Sequence, residues 1–108
     1  MKKSERRGAA MHPGEVIRSE SDRLGLSANA FAKALGVPGN RISEIMRGQR
    51  SISADTALRL ARYLSTEPEY WMKLQRDYEL ELATKQNGSE IERTVIPYNQ
   101  AKRENNGQ

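Results

Sequence analysis

A chain of 108 residues, 36% hydrophobic and 30% charged, has room for one domain whose modest core is shared among several elements. The absence of cysteine excludes disulfides, thiolate metal sites and a cysteine nucleophile, and the single histidine has no partner at ligand spacing. No apolar run nears the about 18 residues of a membrane span and there is no apolar leader, which points to a soluble, cytoplasmic protein; the net charge of +4 says little until its distribution is read.

Residues 1–10 are polar and aperiodic, and Lys2, Lys3, Arg6 and Arg7 make them a flexible basic arm. A first helix is predicted from Pro13, because proline at the first helical position costs no internal hydrogen bond. Val16, Ile17 and Leu24 supply its inward face, His12 packs against or caps its start, and Gly25 stops it. Ser27 caps a second helix in which Phe31, Ala34 and Leu35 form a buried stripe, and Gly36 ends it. Val37 and Pro38 make a turn. The third helix then runs from Gly39 to Arg47, with Gly48 as terminator. Ser53 caps a fourth, whose Ala54, Ala57, Leu58, Ala61 and Leu64 share one face. Thr66 caps a fifth, with Pro68 in its first turn and Glu67 and Glu69 placed favourably against the helix dipole. Trp71, Leu74, Tyr78 and Leu82 recur along this helix at steps of three or four, until Asn87 and Gly88 break it. Ile91, Thr94, Val95 and Ile96 then form a β-prone run ending at Pro97, and a lone strand needs a partner for its backbone. The expected organisation is an arm at 1–10, a helical domain at 11–87, a dimerising strand at 88–98 and a disordered tail at 99–108.

Residues 26–48 carry the most information. Ala32, Gly36, Ile42 and Ile45 are what two short helices need to cross steeply over a shared core, which leaves the third helix free to enter a DNA major groove. With Ile42, Ile45 and Met46 inward, Gly39, Asn40, Arg41, Ser43, Glu44 and Arg47 face outward. Asn pairs bidentately with adenine and Arg with guanine, Glu accepts from cytosine, and Gly39 lets the backbone approach closely. Gly39, Asn40, Arg41, Ser43 and Glu44 are the candidate base contacts, although Glu44 is equally suited to orienting Arg41 or Arg47 through a local ion pair. Ser27, Asn29, Lys33, Arg47, Gln49, Arg50 and Ser51 are the candidate phosphate contacts. The charge pattern agrees. Residues 27–62 hold six cations against Glu44 and Asp55, whereas residues 63–92 hold three cations against seven acids, which suggests a DNA side and a protein side.

Four blocks narrow the pattern further. His12, Pro13, Gly14 and Glu15; Asn40, Arg41, Ile42, Ser43, Glu44 and Ile45; the run from Ala54 to Ala61; and Pro68, Glu69, Tyr70 and Trp71 together resemble the HigA (VapI-like) antitoxins of the phage-repressor-like helix-turn-helix superfamily. The resemblance covers about residues 11–95. It implies an all-α, five-helix bundle of the lambda-repressor-like type, to which the 91–96 run adds a short strand open to pairing across a dimer. It also implies a homodimer that represses its own operon at a palindromic operator. Its protein partner would be a HigB-type toxin of the RelE-like class, which cleaves messenger RNA. No enzyme activity, cofactor, metal, membrane or small-molecule substrate is implied. Two positions depart from related repressors, which often carry Gln where this chain has Ala28 and Ser or Thr where it has Pro38. A dimer would be built from Trp71, Leu74, Tyr78, Leu82, Ile91 and Val95. The alternative reading is a stand-alone phage- or plasmid-type repressor without a toxin.

Overall fold

Helix ends dictate much of this architecture, because each leaves backbone groups that must find partners. In the computed structural model, which describes residues 10–99, five helices follow one another: α1 (Pro13–Leu24), α2 (Ala28–Leu35), α3 (Gly39–Met46), α4 (Ala54–Leu64) and α5 (Pro68–Thr94). The His12 Nδ1 accepts from the Gly14 amide at 2.8 Å and caps α1. Ser27 accepts from the Ala30 amide and Ser53 from the Thr56 amide, which caps α2 and α4 as their sequences predict. Thr66 does not cap α5. Glu67 holds that position without a side-chain bond, and the Thr66 hydroxyl accepts the indole N–H of Trp71 at 2.8 Å instead. A buried indole needs an acceptor, and this one lies one turn away.

The core comprises Ile17 of α1, Phe31, Ala32 and Leu35 of α2, Ile42 and Ile45 of α3, Ile52 of the following loop, Ala57, Leu60 and Ala61 of α4, and Trp71 of α5. Burying each of the larger side chains contributes roughly 1.5–3 kcal/mol. Several predicted inward faces are rotated. Leu24 is exposed, and Ser21 takes the inner position because its hydroxyl donates to the Leu26 carbonyl across the end of α1. Ala32 rather than Ala34 is buried on α2, and Leu60 rather than Ala54 or Leu58 on α4. One position of slip on a short helix turns the face by 100°, and alanines give periodicity little contrast to fix it.

One close approach ties α1 to α3. A Cβ on Gly14 would lie 2.0 Å from the Ile45 carbonyl oxygen, so only glycine lets the start of α1 seat against the last turn of α3.

The β-prone run is not a strand. Helix α5 continues through Asn87 and Gly88 to Thr94 and caps at Val95, and no strand occurs among the described residues. Asn and Gly weaken a helix by about 1 kcal/mol or less each, whereas an isolated strand leaves its whole backbone unpaired. Local bonds support the extension: the Thr84 and Thr94 hydroxyls donate back to the Leu80 and Glu90 carbonyls, and Arg93 pairs with Glu90. The boundary expected at 87/88 is therefore continuous helix. Most of the 1–10 arm and of the 99–108 tail lies outside the described residues.

Candidate nucleic-acid interface

Helix α3 is amphipathic over only eight residues. Ile42 and Ile45 are fully buried, Met46 packs partly against them, and Asn40 and Arg47 are exposed, with Ser43 and Glu44 half-buried on the same outer side. The helix starts at Pro38 with no side-chain cap, as the departure at that position implied. Gly39 opens the first turn against α2: a Cβ there would meet the Asn29 amide oxygen at 3.0 Å. Gly39, Asn40 and Asn29 thus share one edge of the turn between α2 and α3.

The outer row is internally organised. The Asn40 Nδ2 donates to Glu44 Oε2 at 2.8 Å, and the Arg50 Nε donates to Glu44 Oε1 at 2.8 Å. Glu44 therefore orients Asn40 and Arg50, not Arg41 or Arg47. The Ser43 hydroxyl donates back to the Asn40 carbonyl at 3.1 Å. Arg47 reaches Gln49 at 3.3 Å. Arg41 departs from the expected row. Its guanidinium leans toward the first turn of α4 and donates to the Thr56 hydroxyl at 3.3 Å, while its Nε is shielded from solvent with no partner. To reach a base, Arg41 must swing away from Thr56, and its weak, incompletely satisfied seat there makes that move inexpensive.

The flanking candidates divide into two groups. Ser27, Asn29 and Lys33 are exposed on α2 or its cap, and Asn29 sits beside Gly39 at the start of α3. Gln49, Arg50 and Ser51 lie on the loop into α4, and that loop is fixed from below by residues the sequence reading missed. Gln75, buried on α5, accepts from the Ile52 amide at 2.8 Å and donates to Glu79, which also accepts from Ser51. Its signal in the sequence was a polar residue four places after Trp71 on the apolar seam. Arg59 pairs with Asp55 one turn before it on α4. Its guanidinium also donates to the Leu35 carbonyl at 3.0 Å and the Gly36 carbonyl at 3.3 Å, closing the C-terminal end of α2 from α4. A rigid frame thus surrounds a short exposed helix.

The six dimer candidates do not form one surface. Trp71 is 1% exposed and belongs to the protomer's own core, so it is withdrawn from any interface. Leu74 packs partly on that core, and Tyr78 is half-buried with its ring edge-on to His12 at 4.7 Å. Leu82, Ile91 and Val95 are exposed along the outer part of α5. Burial lowers the pKa of His12 from its ordinary value, an effect partly offset by Glu15. Among the described residues no His, Asp or Glu cluster could hold a metal ion, and no helix is long and apolar enough to cross a membrane.

Comparison with known proteins matches this geometry. The helix-turn-helix family model (HTH_3) matches residues 17–71. Virulence-associated protein I of Dichelobacter nodosus is 52% identical over 75 residues, covering 68% of this chain and 69% of that protein. The structure of an addiction module antidote protein of the HigA family from Coxiella burnetii superposes with a TM-score of 0.79 at 48% identity, covering 82% of this chain and 98% of that one. Pseudomonas aeruginosa antitoxin HigA, solved with the higBA promoter, gives a TM-score of 0.79 at 42% identity and the same coverage.

Proposed function

The chain belongs to the HigA-type antitoxins of the helix-turn-helix family, and on that premise we propose that it binds operator DNA as a homodimer, represses its own operon and neutralises a HigB-type toxin of the RelE-like class. The observation that carries the DNA reading is the outer row of α3: Asn40, Ser43, Glu44 and Arg47 stand over fully buried Ile42 and Ile45, with cations on both flanks. Asn40 pairs with adenine, Gly39 and Ser43 admit close approach, and Arg41 turns out from Thr56 to read guanine. Ser27, Asn29, Lys33, Arg47, Gln49 and Ser51 meet phosphates and set the register, and Arg50 joins them on the operator by leaving Glu44.

One short helix reads too few base pairs for an operator. Two copies spaced by about 34 Å read a palindrome. The outer part of α5 offers the two-fold surface, because Leu82, Ile91 and Val95 are exposed there among the described residues. A basic toxin would be attracted either to the acidic region from Glu67, at the cap of α5, through Glu69, Glu79, Glu90 and Glu92 or to an outer face of the first helices.

Titration of the protein onto DNA from upstream of its own gene tests the DNA reading. With about six phosphates met per dimer, log affinity should fall against log salt with a slope near about −5. Salt-independent binding would refute it. Coexpression with the adjacent gene tests the toxin reading: the product should copurify and its toxicity should be relieved. A neighbour that neither copurifies nor harms growth leaves a stand-alone repressor.

A further inference from the structure

The contact between Asn40 and Glu44 has a consequence for sequence selection that neither residue has alone. An asparagine amide is nearly symmetric in shape, so a free Asn40 presents its donor and acceptor in either order. Adenine offers one acceptor, N7, and one donor, N6, in a fixed order on the major-groove edge. In this structure Asn40 is not free to turn over. Its Nδ2 donates to Glu44 Oε2 at 2.8 Å, and an ionised carboxylate has only acceptors. Turning the amide over would set Oδ1 against Oε2 with no proton between them. The bonded orientation leaves Oδ1 and the second Nδ2 proton available to a base.

The other carboxylate oxygen has a second effect. Glu44 Oε1 holds Arg50 Nε at 2.8 Å, with the Glu44 side chain 24% and the Arg50 side chain 44% exposed. A carboxylate on the outer side of α3 repels the DNA backbone, and here it also offsets the charge of the nearest loop cation. The pair lowers attraction for any DNA, whatever its sequence.

We infer that Glu44 is the specificity-determining positioning residue of this interface, fixing the Asn40 amide in the order that adenine requires while restraining Arg50 from sequence-independent phosphate binding. The inference rests on the DNA reading above and names how one of its base contacts is controlled. It gives Glu44 a role distinct from direct cytosine contact.

The test measures base preference at every operator position, together with affinity for an unrelated duplex, for the wild type, Glu44→Ala, Asn40→Ala and the double variant. Glu44→Ala should flatten, by about tenfold, the adenine preference at the position that Asn40→Ala also flattens. It should bind the unrelated duplex several times more tightly, with a salt slope steeper by about 0.9 per protomer engaged. In the Asn40→Ala background it should change no base preference further. Glu44→Gln serves if the alanine variant is unstable. Its amide can donate to Asn40 as well as accept and carries no charge toward Arg50, so adenine preference should again flatten and binding to unrelated DNA should rise. A loss of preference at a different, cytosine-bearing position would overturn the inference by making Glu44 a base reader, as would unchanged preference in Glu44→Ala. A wild-type protein that does not prefer its promoter over the unrelated duplex would overturn the DNA reading itself. Promoter preference that survives Glu44→Ala intact overturns only the role of Glu44.

Discussion

The first four helices and the beginning of α5 differ sharply from the remainder of α5. In the first region each short helix is tied at its ends by another element: Ser27 and Ser53 cap, Arg59 closes α2, Gly14 seats α1 on α3, and Gln75 pins the loop at Ile52. In the second, past Tyr78, nearly every side chain is exposed, and apart from the Ala10 amide that donates to Glu81 the helix is held by pairs along itself, such as Lys85 with Glu81 and Arg93 with Glu90. Surface pairs of this kind contribute only about 0.3–0.5 kcal/mol each. The difference teaches which part is self-sufficient. The frame around α3 needs nothing beyond the protomer, whereas the outer half of α5 displays Leu80, Leu82, Ile91 and Val95 and gains most from being covered.

The largest effect is expected in the first region. Trp71→Ala removes the largest core side chain and orphans the Thr66 contact, and should cost about 3–5 kcal/mol in denaturant unfolding. A loss under about 1 kcal/mol would show that Trp71 is not part of the shared core. A smaller effect, in the same region, comes from His12. Its pKa is lowered in the folded protein, so the unfolded chain takes up a proton first as pH falls below about 6.5. Stability is therefore full above that pH and is lost as pH drops from there through the folded pKa. His12→Asn, which can still cap α1, should remove that part of the acid slope; an unchanged slope would contradict it. The smallest effect on stability is expected from Ile91→Ser with Val95→Ser, within about 0.5 kcal/mol for the protomer. Sedimentation should nevertheless show weakened self-association. Loss of folding with self-association unchanged would invert the contrast between the two regions.

Most of the frame was legible because its signals are strong and local. Ser27, Ser53 and Pro13 mark starts, Gly25 and Gly36 mark stops with φ of 70° and 73°, and Ile42 and Ile45 stand out on a polar helix. What escaped was set by tertiary context. Leu58 looks inward by composition yet is 60% exposed, because α4 presents Leu60 and Ala57 to the core. Residues 91–94 are β-prone only in isolation, and as an extension of α5 they satisfy their own backbone. On the outer face of α3, residue types indicated which side chains could meet DNA. They could not reveal that Glu44 holds Asn40 and Arg50, or that Arg41 leans on Thr56, since both depend on where the next loop and α4 pass.

The most direct test replaces Asn40 and Arg41 together with alanine and compares binding to the promoter of the protein's own gene with binding to unrelated DNA. Both side chains lie outside the buried core, so the fold should be retained. If α3 presents them to base edges, preference for the promoter should fall by at least about tenfold while salt-dependent binding to unrelated DNA persists. Undiminished preference in a folded double variant would show that sequence is read elsewhere on the molecule.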